Sequence, residues 1–170
     1  MAYEVIHLKP TLDTSAYVDN DILFTAEAIK IPARACKVLA IQAVWNDTDA
    51  EAEELLIGFF RENVQALGGG ANDAGAATNT LFRPDSGGFL GFLRISQDNT
   101  MEESLGGTCT LLASSTQVGT GSGTHLGPTA PIVVSSGTED NKVYVSALLE
   151  TSGGATVAAD SLDIFIHVEY

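Results

Sequence analysis

The chain closes on a strict alternation. In Ser161-Leu162-Asp163-Ile164-Phe165-Ile166-His167-Val168-Glu169-Tyr170, the residues Leu162, Ile164, Ile166, Val168 and Tyr170 fall on one side. Asp163, Phe165, His167 and Glu169 fall on the other. A period of two marks a strand with one face on a core and one nearer water. Because the pattern runs to the last residue, this segment is expected to be tied into a sheet. Lys142 to Glu150 repeats it, with Val143, Val145, Ala147 and Leu149 sharing a face. The Ser-, Gly- and Thr-rich stretch Thr151 to Asp160 between the two predicts a hairpin.

Earlier segments read the same way. Tyr3 to Leu8 is a short first strand ended by Pro10, and Asp13 to Asp21 is turn-forming. In Ile22 to Ile31, closed by Pro32, the residues Ile22, Phe24, Ala26 and Ala28 alternate with Leu23, Thr25 and Glu27. Lys37 to Asn46 places Leu39, Ile41, Ala43 and Trp45 on one face. Ala33 to Ala43 is rich in helix formers, but β-branched Val38, Ile41 and Val44 beside Trp45 favour a strand. Leu55 to Phe60 is apolar without alternation, so it predicts a strand covered on both faces. Phe89 to Ser96, Thr108 to Ala113 and Pro131 to Val134 complete the set, while Glu62 to Leu67 has room for one helical turn before Gly68-Gly69-Gly70. Eight or nine strands with little helix and no sequence repeat predict an all-β chain, a jelly-roll-like antiparallel β-sandwich. The expected organisation is a single domain over residues 1-170. A loop insertion is expected around 61-88 and an exposed Gly/Ser/Thr-rich loop around 114-129.

Length agrees with this, since 170 residues suffice for one domain with a real core. Charge narrows the function. Against 22 acidic residues stand eight basic ones, for a formal net charge of -14. The basic residues are scattered, with only a loose cluster from Lys30 to Lys37. Such a surface repels phosphates, which argues against nucleic-acid and anionic-membrane partners. Acidity keeps a concentrated protein soluble and suits an outward-facing coat. Met1 to Lys9 lacks the basic start and apolar stretch of a signal peptide. No apolar run approaches membrane-spanning length. A soluble protein made in the cytoplasm is expected.

Candidate chemistry is sparse. Cys36 and Cys109 sit in no CxxC pair and read as small buried thiols, although a disulfide between them stays open. Asp47-Thr48-Asp49-Ala50-Glu51 resembles alternating oxygen ligands for calcium, but without the Gly and distal Glu of an EF-hand loop it reads as a solvated acidic run or a weak Ca²⁺ site. Gly68 to Gly70 and Gly119 to Gly123 lack the Lys and following helix of a phosphate loop. His7, His125 and His167 are too far apart in sequence for a local metal site. His7 and His167 fall in first and last strands that could pair, as polar positions on an outward face. A Ser-His-Asp triad has no Gly-x-Ser-x-Gly elbow to support it. Trp45, Phe59 and Phe60 read as core, with an aromatic sugar platform as the other use of such residues. No catalytic, cofactor-binding or metal residue is assigned, so the chain reads as a binding or structural module and not an enzyme.

One segment adds more. Leu12-Asp13-Thr14-Ser15-Ala16-Tyr17-Val18-Asp19-Asn20-Asp21-Ile22-Leu23 resembles a family of small β-rich virion proteins of tailed bacteriophages, with its Asp-Thr-Ser-x-Tyr turn, acidic residue and strand. The similarity continues through Val38 to Trp45, Asp47 to Glu54, Leu55 to Phe60, Lys142 to Leu149 and Ser161 to Tyr170. It covers about half of the chain and leaves Arg61 to Val134 unmatched. The resemblance implies a jelly-roll-like sandwich on the outside of the phage head. There it would act as a decoration or cement protein that bridges neighbouring major capsid protein subunits, most simply as a homotrimer on a local threefold axis. No cofactor is implied. The N-terminal arm Met1 to Pro10 and the Gly-rich loops are candidate contacts with the shell or with neighbouring copies; Tyr3 to Leu8 as an ordinary edge strand is the alternative. Other assignments for the same fold are a tail, neck or head-fibre virion protein that binds a host surface or carbohydrate.

Overall fold

Every inward position of the closing alternation, from Leu162 through Val168, is fully buried. The computed structural model describes residues 1–46, 54–62, 88–95, 101–104, 110–115, 132–137, 140–151 and 156–170. Ten strands run through them: β1 (Tyr3–Leu8), β2 (Ile22–Lys30), β3 (Ala35–Trp45), β4 (Glu54–Phe60), β5 (Phe89–Ile95), β6 (Met101–Ser104), β7 (Thr110–Ser115), β8 (Ile132–Ser135), β9 (Lys142–Thr151) and β10 (Leu162–Glu169). The chain is all-β and antiparallel, as the alternation predicts. One sheet has the order β1-β10-β3-β7-β6, with β8 also against β3; the other has the order β2-β9-β4-β5. β3 is long enough to hold two neighbours along one edge, β8 beside Ala35 to Val38 and β7 beside Ala40 to Trp45.

The pairs β1·β10, β2·β9, β3·β8 and β4·β5 nest like one long antiparallel double strand. That double strand is folded so that β10 also meets β3 and β9 also meets β4. The β6·β7 pair extends the first sheet, and the arrangement is an antiparallel β-sandwich. It overturns the expected hairpin between the last two strands. β9 lies in one sheet and β10 in the other. Alternation identifies two strands and their inner faces, but it carries no information about which strands are neighbours.

A single cluster of buried side chains joins the two sheets. Val38, Ile41, Ala43, Trp45, Ile164 and Ile166 come from one, and Phe24, Ile57, Phe59, Val145 and Leu149 from the other. Burying an aliphatic or aromatic side chain of this size contributes about 1.5–3 kcal/mol each, so this seam holds the sheets together. Cys36 is buried within it as a free thiol. Burial, with a smaller contribution from the Glu4 carboxylate, pushes that thiol up to about 11.

Two expected faces slip in phase. Leu39 was expected inward with Ile41, but Cys36 and Val38 are inward before it and Ile41, Ala43 and Trp45 after it. The ladder with β10 steps from Val38 to Ala40, so Leu39 is the extra residue of a bulge, and a bulge shifts the pleat by one. β2 behaves likewise. Its pairing with β9 shifts between Ile22 and Phe24 and again between Phe24 and Glu27. In place of the expected face of Ile22, Phe24, Ala26 and Ala28, the core receives Leu23, Phe24 and Ile29, and Ala28 is exposed.

Leu55 to Phe60 is covered on both faces, as its unbroken apolar run requires. Leu55, Ile57 and Phe59 enter the main core, while Phe60 and Ile22 form a second cluster with Ala26, Phe89, Tyr144 and Leu148 against them. The Phe60 ring lies over Gly58, where a Cβ would stand 2.9 Å from Cε2. A side chain at position 58 would occupy the ring's seat.

The turn before β2 is built by its own polar groups. Asp13 Oδ1 accepts the Ser15 N–H at 2.7 Å, and Asp21 Oδ2 accepts the Val18 N–H at 2.7 Å. Asn20 takes a positive φ of 69°, which Asn tolerates better than most residues. Tyr17 sits at the centre, fully buried. Its hydroxyl accepts the Asp13 N–H at 2.9 Å and donates to the Leu23 carbonyl at 3.2 Å. Burial, which opposes ionisation, raises the phenol to about 12.

Some expectations meet a different boundary. Tyr170 lies past the end of β10 and is exposed, although it exchanges backbone bonds with Ala2. β7 runs on to Ser115, so Ser114 and Ser115 of the expected exposed loop at 114-129 belong to a strand. β6 was not foreseen: Met101-Glu102-Glu103-Ser104 is too short and polar to show a pattern. Residues 47–53, 63–87 and 116–131, with Cys109 and His125, lie outside the described residues. The expectations for the acidic run, both Gly-rich segments and the helical turn fall there.

Candidate binding face on the outer side of the first sheet

The outward side of the β1, β10 and β3 trio is a grid set by register. Tyr3 stands opposite Glu169, Val5 opposite His167 and His7 opposite Phe165. On the other side of β10, Lys37 faces Glu169, Ala40 faces His167, Gln42 faces Phe165 and Val44 faces Asp163. Period two put Asp163, Phe165, His167 and Glu169 on one side of the last strand, and the register then aligns β1 and β3 beside them.

Contacts across the grid are specific. His7 stacks on Phe165 with ring centroids 4.7 Å apart and planes 9° from parallel. Its Nε2 meets Asp163 Oδ1 at 2.6 Å, and the second oxygen of that carboxylate accepts from Asn46 Nδ2 at 2.7 Å. Tyr3 hydrogen-bonds His167 through its hydroxyl and Nδ1, with the rings 5.8 Å apart. Both β1 aromatics reach two residues along β10 from their direct partners, the diagonal within range of large side chains. The other ring nitrogen of His167 is Nε2. That atom is buried and has no partner among the described residues. Lys37 Nζ lies 3.3 Å from Glu169 Oε2.

The two histidines foreseen on an outward face are there, on paired strands. They are not partnered with each other: one is held by a carboxylate and the other by a phenol. A His–carboxylate pair is also the orienting half of a hydrolase triad. Here His7 is half exposed on an open sheet and stacked on a ring, an arrangement that fixes a surface aromatic in place. Among the described residues no group of three or more His, Cys, Asp and Glu is placed to hold a metal ion. Asp163, Phe165, Tyr3 and Asn46 were not singled out from the sequence. The alternation of the last strand already grouped the first two, and only the register could add the others.

No protein-family model matches the chain, and no curated protein compared with it matches either. What can be said of this face therefore comes from its own chemistry. It is rich in rings, and its two carboxylates are each engaged by a cationic or donor group. Tyr3 is 59% exposed and Val5 42%, so the apolar part of the face is presented at its β1 margin. The face thus combines stacking area, oriented hydrogen-bond groups and paired charge.

Proposed function

We propose that this protein is a structural binding module of the tailed-phage head: a decoration, or cement, protein. It binds the outside of the shell and bridges neighbouring major capsid subunits. The sequence resemblance supports this reading. One structural observation carries it, namely the charge-paired aromatic face of the first sheet on a chain whose net charge is -14. The acidic remainder repels other acidic surfaces, so a partner meets least opposition at this face. A cement protein needs no chemistry, only several simultaneous contacts. Linking weak contacts raises overall binding by about 10² to 10⁴-fold over a single one, which is how such a protein opposes pressure from packaged DNA.

The test is the number of copies per particle, from quantitative mass spectrometry of purified virions normalised to the coat protein. A simple ratio to the coat protein, such as one to one or one to three, is expected. A handful of copies would move the protein to the tail, neck or a head fibre and make host-surface binding its role. Absence from the particle would end the virion reading.

A further inference from the structure

β1 is an edge strand, and its backbone is arranged to accept another. Ala2 and Tyr170 exchange both backbone bonds, at 2.9 and 3.0 Å. Antiparallel ladders alternate bonded and non-bonded pairs, so Glu4–Val168, Ile6–Ile166 and Leu8–Ile164 are the bonded pairs that follow. The N–H and C=O groups of Tyr3, Val5 and His7 therefore point away from β10. On that side β1 has no strand neighbour among the described residues.

We propose that this edge pairs with the same edge of a second copy of the chain, about a twofold axis at Val5. Such an axis stands perpendicular to the sheet, so opposed residues must share a face. Centring on Val5 places Val5 opposite Val5 of the second copy and Tyr3 opposite its His7. These are the residues whose outward backbone groups meet no strand among the described residues, so the bonding and facing requirements coincide. Three bonded pairs form, with two hydrogen bonds in each. β1 ends at Leu8, which bounds the paired stretch.

The second copy is the occupant favoured by charge as well. Two chains of net charge -14 repel over most of their surfaces. The outward positions of β1 carry no carboxylate, however, and the nearest ones are engaged: Asp163 by His7 and Asn46, Glu169 by Lys37. On the opposite face Glu4 meets Ile6 of the second copy and not its Glu4. Natural edge strands are commonly guarded by outward charge; here the outward side offers Tyr3 and Val5, which stacking against His7 and Val5 of the second copy would cover. The pairing stands on strand geometry and does not depend on the virion reading.

Sedimentation velocity of the full chain across the micromolar range tests it, beside the variant Val5→Pro. Proline at an edge position whose N–H faces outward is compatible with the strand, and circular dichroism checks that the variant folds. Wild type should pass from monomer to dimer. Val5→Pro deletes one bond from each copy and should raise the dissociation constant about tenfold or more. Should that variant fail to fold, oxidation decides: Val5→Cys in a Cys109→Ser background should cross-link into dimers. Val133→Cys in the same background, 58% exposed on the same sheet, should not. A chain monomeric throughout, a trimer, a dimer indifferent to Val5→Pro, or equal cross-linking at both positions would each overturn the pairing. A trimer would do so while leaving the cement reading intact, because that reading is decided by copies per particle.

Discussion

Removing one oxygen from Tyr17 should cost the fold about 2 kcal/mol. The variant Tyr17→Phe keeps the buried ring and deletes the hydroxyl that accepts the Asp13 N–H at 2.9 Å and donates to the Leu23 carbonyl at 3.2 Å. The two losses are unequal. Asp13 is half-buried, so its N–H can turn to water. Leu23 is fully buried, and no water reaches its carbonyl. A typical hydrogen bond contributes about 1 kcal/mol net, and a buried polar group left without this partner costs about 1–3 kcal/mol. Counting the first bond at the low end and the second as a stranded acceptor gives the estimate. For a domain of this size it corresponds to a fall of about 4–8 °C in Tm, at about 2–4 °C per kcal/mol. Urea unfolding followed by fluorescence of buried Trp45 should show a lower midpoint at unchanged slope. A loss under about 0.5 kcal/mol, the level of an ordinary surface substitution, would mean that the Asp13–Asp21 turn is not organised around this hydroxyl.

The same phenol sets an alkaline limit. Its raised pKa of about 12 means that the unfolded state releases this proton first, so stability should fall as pH rises from 10 towards 12. Cys36 contributes likewise from 9 towards 11. An unfolding series against pH should therefore fall less steeply for Tyr17→Phe than for wild type. At the bulge, Ile41→Ala should cost about 2–5 kcal/mol as a core truncation, and Leu39→Ala less than half as much, measured by the same denaturation. Equal costs would refute the phase slip. Gly58→Ala should cost about 1–3 kcal/mol by overpacking, since its Cβ would stand 2.9 and 3.1 Å from the Phe60 ring. Phe60→Leu in the same chain should recover part of the loss.

Faces were legible wherever strands ran without interruption. In β9 and β10 each inward residue named by alternation is buried to 1% exposure or less, up to Val168. β3 and β2 show why the rest was not. A bulge adds one residue without changing the composition around it, and Leu39 is as apolar as the neighbours that point inward. Only the partner strand reveals it, since the step is defined by His167 and Val168 opposite. Neighbourhood was equally hidden. β9 and β10 look like a hairpin because they are consecutive and alike, yet consecutive strands can occupy opposite sheets when the chain rolls around its core.

The outer face of β1, β10 and β3 joins these two lessons. Half of it, Asp163, Phe165, His167 and Glu169, was present as the polar side of one alternating strand. The other half became visible only when β1 was set beside β10 in register, because Tyr3 and His7 lie about 160 residues away in the chain, with 164 and 156 residues separating the bonded pairs. Local pattern finds a face. Long-range pairing decides what stands next to it and therefore what the face can do. The edge of β1 follows from the same logic: once Ala2 and Tyr170 are known to exchange bonds, the alternation of the ladder commits Tyr3, Val5 and His7 to the open side. Their side chains and their backbone groups then belong to one surface. A partner that satisfies the backbone at this edge must also cover Val5, so strand pairing and side-chain contact at this margin stand or fall together.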